Sequence, residues 1–117
     1  MRNFRNFKIW NEAIQISKTV YQITLGFPMQ EKYGLCSQMQ RAVVSIASNI
    51  AEGASRKSEA EFARYLEISI GSSFELETQL TISYELGYIN ENDFNSFLLK
   101  INYLQKQINQ FITKLRT

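Results

Sequence analysis

The chain has 117 residues, of which 44% are hydrophobic, with one Pro, five Gly, one Cys and no His. That fits a single folded domain over 1–117 and argues against disorder, a disulfide framework and every chemistry that depends on imidazole. Thirteen basic and eleven acidic side chains leave only +2, less than a dedicated nucleic-acid binder usually carries.

The N-terminal Met1–Phe7 segment is polar and aromatic and lacks the apolar core of a signal peptide. No apolar run approaches the length of a membrane span, so the expected setting is cytoplasmic, without a membrane partner. The spacing predicts a first helix over about 7–25, ended before Phe27-Pro28 because Pro disfavours helical backbone in the residue before it. This helix has two apolar faces. One holds Phe7, Trp10, Ile14, Tyr21 and Leu25; the other holds Ile9, Ile16 and Ile23 with Ala13, Val20 and Phe27. Their combined arc is about twice what a bundle helix needs for its own core. The surplus is expected to form a subunit interface through Ile9, Ile16 and Ile23; the alternative is a first helix that lies deep in a lopsided monomer.

A second helix is predicted over about 35–52, after Tyr33-Gly34, with Gly53 as a left-handed C-terminal residue. Leu35, Met39, Ala42, Val43, Ile46 and Ile50 make its core stripe. Val44, Ala47 and Ala51 make a small-residue band open to another helix, with Val44 and Ala47 assigned to the interface. Arg41, Ser45, Ser48 and Glu52 make a polar stripe.

The third helix, about 58–86, opens on a Ser58-x-x-Glu61 capping box and ends at Gly87. Gly71-Ser72-Ser73 thins its middle and would permit a close crossing. The fourth, about 90–115, opens at Asn90 and carries an unbroken apolar stripe from Phe94 to Leu115. Four helices with short connections predict an all-α, antiparallel up-down-up-down four-helix bundle.

Chemistry for turnover is absent from this pattern. There is no nucleophile–His pair, no Gly-rich phosphate loop and no metal-ligand spacing, and Glu75 and Glu77 fall on different sides of a helix. No catalytic residue, metal, cofactor or small-molecule substrate is expected; an enzyme would need a pocket gathering Arg41, Asn49 and Glu52. The binding candidates are cations. Arg56 and Lys57 sit beside the start of the third helix, Arg2 and Arg5 are interleaved with Phe4 and Phe7, and Arg41 faces out from the second helix.

Several of these segments occur together in a known family. Trp10, Phe27-Pro28 before Glu31-Lys32-Tyr33-Gly34-Leu35, Ser45-Ile46-Ala47-Ser48-Asn49-Ile50-Ala51-Glu52-Gly53, Gly71-Ser72 followed by Glu75-Leu76-Glu77-Thr78, and Leu86-Gly87-Tyr88-Ile89 appear in this order. From about Phe7 to the C-terminus the chain resembles the four-helix-bundle proteins encoded within intervening sequences of bacterial 23S rRNA genes. The resemblance implies a ring-like homo-oligomer, a pentamer. It also implies kinship with accessory proteins of diversity-generating retroelements, which bind nucleic acid and a reverse transcriptase. Where many relatives carry Arg-Arg-Ala, this chain has Gln40-Arg41-Ala42, one cation fewer.

The expected function is a non-enzymatic, oligomeric RNA- or DNA-binding accessory protein using Arg41, Arg56, Lys57, Arg2 and Arg5. Five copies would together carry about +10. The competing reading is a protein-interaction scaffold that makes no contact with nucleic acid.

Overall fold

The computed structural model describes residues 2–117. Four helices carry the fold: α1 (Lys8–Thr24), α2 (Leu35–Ala54), α3 (Glu59–Glu85) and α4 (Glu91–Leu115), with short 3-10 turns at Phe4–Asn6 and Met29–Glu31. Each helix packs against its two neighbours around a square (α1–α2, α2–α3, α3–α4 and α4–α1). This is an antiparallel four-helix bundle, 44 Å along its long axis. A 27-residue helix such as α3 is about 40 Å long at 1.5 Å per residue, so helix length sets the molecule's length.

The helix starts are chemical. Ser58 accepts a hydrogen bond from the Glu61 N–H and Asn90 from the Asp93 N–H, each satisfying a first-turn donor that the helix leaves free. Gly87 is the one described residue with positive φ (80°), and it lets the chain turn out of α3.

Two expected glycine roles change. Gly53 lies inside α2, which runs on to Ala54, and a methyl group added there would meet Tyr65 Cβ at 2.6 Å. Gly53 is therefore a place where α2 and α3 approach closely, not a left-handed stop. Gly71, expected at a crossing, faces open space, with nothing within 4 Å of an added Cβ.

The core runs along the axis through Met39, Val43, Ile46 and Ile50 of α2, Phe62, Leu66, Leu76 and Leu80 of α3, and Ile101, Leu104 and Ile108 of α4. Helix α1 adds Ile9, Ala13, Ile16 and Val20. Its two apolar faces thus sort opposite to expectation. Ile9 (4% exposed) and Ile16 (3%) are interior to a single subunit, and Ile23 packs half-buried against the same core. Ala47 is buried as well, beneath α1, so of the five expected interface residues only Val44 stands open, at 46%. The surplus falls instead on the Trp10 face, where Trp10 and Ile14 are half-buried and Tyr21 and Leu25 are exposed.

A polar seam joins α2 to α3. The Ser45 and Ser72 hydroxyls lie 2.8 Å apart, and Ser69 Oγ donates to the Ile46 carbonyl at 2.9 Å. Short hydroxyl side chains let two helix backbones approach while keeping these polar groups partnered.

Candidate nucleic-acid interface

Chain direction decides which charges meet. The start of α1, the end of α2, the start of α3 and the end of α4 share one end of the bundle. Aromatic rings close that end: Phe7, Phe62 and Phe111 stack in mutual contact with centroids 5.2–6.0 Å apart. Around them gather seven cations (Arg2, Arg5, Lys8, Arg56, Lys57, Lys114 and Arg116) against four carboxylates, Glu52, Glu59, Glu61 and Glu67, the last paired with Arg116. The opposite end carries Glu31, Glu85, Glu91 and Asp93 against Lys32 alone. A net charge near zero therefore hides a bundle polarised along its axis, and a polyanion would meet a local field far larger than the total suggests.

The sequence candidates separate by what they touch. Arg2 is built into the fold: Nη1 donates to the Arg56 carbonyl at 2.6 Å and the Ala54 carbonyl at 3.3 Å, and its guanidinium lies 4.9 Å from the Phe62 ring centroid. It caps the free carbonyls where α2 ends. Arg56 pairs with Glu52 (3.2 Å), donates to Tyr65 Oη (2.8 Å) and lies over that ring. Lys57 and Arg5 are exposed and, among the described residues, take part in no ion pair, Arg5 resting over Phe4. Arg41 is exposed too, but it is 15 residues from Arg56 along α2, about 20 Å up the bundle. The structure thus brings Arg2, Arg5, Arg56 and Lys57 together and leaves Arg41 apart. Of the clustered four, Arg5 and Lys57 remain open to an anion.

Neighbouring groups titrate as their contacts require. Hydrogen bonding to Tyr103 raises Lys8, while burial raises Glu12 despite the nearby Lys8. The Arg116 guanidinium, 3.0 Å away, holds Glu67 below the usual carboxylate range. Cys36, the free thiol, is raised mainly by burial. A catalytic grouping of Arg41, Asn49 and Glu52 does not form. Asn49 Nδ2 donates to Ser45 one turn back, Glu52 pairs with Arg56, and the groove lined by Arg41 includes neither. Among the described residues no cluster of metal-ligating side chains exists and no helix is long and apolar enough to cross a membrane.

The family is decided by a match over residues 5–110 to the model described as 23S rRNA-intervening sequence protein. The chain belongs to that family. Within the solved structures, the chain is similar to a protein of unknown function from the S23 ribosomal protein family of Bacteroides thetaiotaomicron. The two share 20% identity and a TM-score of 0.80, over 89% of this chain and 97% of the other. At that identity the likeness fixes the fold alone. No curated protein matches the chain.

Sequence reasoning grouped Lys8 with Arg2 and Arg5 at the N-terminus but did not join Lys114 and Arg116, at the other end of the chain, to that cluster. The signal was available, because an up-down-up-down order places the first and last residues of the bundle at the same end.

Proposed function

We propose that this protein is a non-enzymatic, oligomeric nucleic-acid-binding accessory protein that associates with RNA. The observation that carries the reading is the seven-cation end, in a chain whose family takes its name from an rRNA intervening sequence. Arg5, Lys57 and Lys114 would contact phosphates directly, and Arg2 and Arg56 would hold the loop and N-terminal segment that present them. Arg41 would add a separate contact on the side of the bundle. Each subunit offers few cations, so affinity would come from several copies engaging one RNA, and the assembly, a pentamer in the family resemblance, supplies that multiplication. Self-association would use the Trp10–Ile14–Tyr21–Leu25 face with Val44, in place of the interior isoleucines. Gel shifts with structured RNA at rising salt test the proposal: binding should fall steeply, and Arg5→Glu/Lys57→Glu should weaken it further. Retention insensitive to salt, or none at low salt, would overturn it.

One feature favours the scaffold reading. Leu25 (85% exposed), Met29 (86%) and Tyr33 (86%) flank a groove of about 500 Å³ at the acidic end, away from the cations. Exposed apolar side chains grouped in this way mark protein-binding surfaces. A pull-down that survives nuclease treatment and is lost with Tyr33→Ala would support a protein partner there.

A further inference from the structure

From Phe94 to Thr117 the chain contains no carboxylate, whereas Glu59–Glu85 on α3 contains six against a single Arg64. The outward side of α4 is instead amide and lysine: Asn102, Lys106, Asn109 and Gln110 are all exposed, beside a shallow depression of about 590 Å³ against α3. Carboxylates on the two flanking helices are drawn to α4 donors. Glu77 accepts from Gln105 Nε2 (3.0 Å), Glu67 pairs with Arg116 (3.0 Å), and Gln107, oriented to satisfy its neighbours, donates to Glu12 Oε1 (2.5 Å). The face therefore carries no negative side chain over most of a helix about 37 Å long, its polar and cationic side chains interrupted by the exposed Leu99 and Tyr103. Its lower edge meets the basic end through Lys114 and Arg116.

We infer that the outward face of α4 docks double-helical RNA. This rests on the RNA-binding reading above and extends it from the end of the bundle along its side. Lys100, Lys106 and Lys114 act as point charges for backbone phosphates. The amides offer both donors and acceptors, which match a 2′-hydroxyl that is itself donor and acceptor in the wide, shallow minor groove of an A-form helix. A single strand would call for open aromatic platforms. Two half-exposed rings border this face, too few to stack a run of successive bases: Phe74 of α3, across the depression, and Tyr103, which Lys8 engages with Nζ 5.1 Å from its centroid and a hydrogen bond to its hydroxyl at 2.8 Å.

Fluorescence anisotropy with an RNA duplex, the same-sequence DNA duplex and one RNA strand alone tests this. The RNA duplex should bind tightest. Lys100→Glu/Lys106→Glu, both clear of the basic end, should weaken it about tenfold or more and lower the log–log salt slope by about two. Asn102→Ala/Asn109→Ala/Gln110→Ala should leave that slope unchanged and erase the preference for RNA over DNA duplex. All these residues are exposed or at the surface, so unchanged circular dichroism is the control for folding. If both α4 variants bind as wild type does while Arg5→Glu/Lys57→Glu loses affinity, this inference is wrong and the proposed function stands. Tighter binding of the single strand overturns the duplex assignment, and no binding of any probe at low salt overturns both.

Discussion

Substituting Ala at Gly53 and at Gly71 should shift stability in opposite directions. At Gly53 an added Cβ would lie 2.6 Å from Tyr65 Cβ, 3.0 Å from Phe62 Cδ1 and 3.3 Å from the Phe62 carbonyl oxygen. Carbon atoms rest about 3.5–4.0 Å apart, and a Cβ cannot rotate away from its own backbone. Helices α2 and α3 must therefore separate by about 1 Å at this close approach. Overpacking of this kind costs about 1–3 kcal/mol, against at most about 1 kcal/mol regained by replacing Gly within a helix. The gain is smaller one residue from the helix end, so the net loss is about 1–2 kcal/mol. At Gly71 the added methyl meets nothing, and only the gain of about 0.4–1 kcal/mol remains. For a chain of 117 residues, about 4 °C of melting temperature corresponds to 1 kcal/mol. Thermal unfolding followed by circular dichroism at fixed protein concentration should show Gly53→Ala lower by about 4–8 °C and Gly71→Ala higher by about 2–4 °C. A Gly53→Ala protein as stable as wild type would refute the close crossing, and a destabilised Gly71→Ala would refute its open setting.

Ile16→Glu puts an unpaired charge in the core and should abolish folding, whereas Tyr21→Glu/Leu25→Glu should keep the helical spectrum and reduce the mass seen by light scattering; assembly that survives the second variant would remove this face as the interface. Arg116→Gln should let the Glu67 pKa rise toward its ordinary value in a carboxyl NMR titration, the hydrogen bond from Arg116 being the main cause of its depression. A depressed carboxylate contributes stability that is present above its unfolded pKa and lost as pH falls through the folded pKa, so the variant should show a shallower acid-side decline. Cys36 should react with a thiol reagent at neutral pH only on unfolding, because burial both covers it and raises its pKa; rapid labelling of the native protein would contradict its placement.

The sequence made the four helices legible because punctuation and periodicity agreed at each: Ser58 and Asn90 cap, Gly87 turns, and the α4 stripe is unbroken. Glycine roles were harder, since a Gly after a helical run reads the same whether it ends the helix, as at Gly87, or admits a neighbour, as at Gly53. On α1 two apolar faces competed and periodicity could not rank them. A finer signal was there: the interior face is mostly Ile, Ala and Val, whereas the outer one carries Trp10 and Tyr21, whose N–H and O–H groups favour contact with water or a partner. The cation cluster depends on topology, so it emerges only once Arg5, Lys57 and Lys114, far apart in sequence, are folded to one end.

The most direct measurement of RNA association is ultraviolet crosslinking of the wild-type protein to structured RNA, followed by mass spectrometry of the adducted peptides. Adducts should fall in the N-terminal segment around Arg5, the Lys57 loop and the outward side of α4. Absence of adducts, or adducts confined to the acidic end around Glu85 to Asp93, would contradict the account.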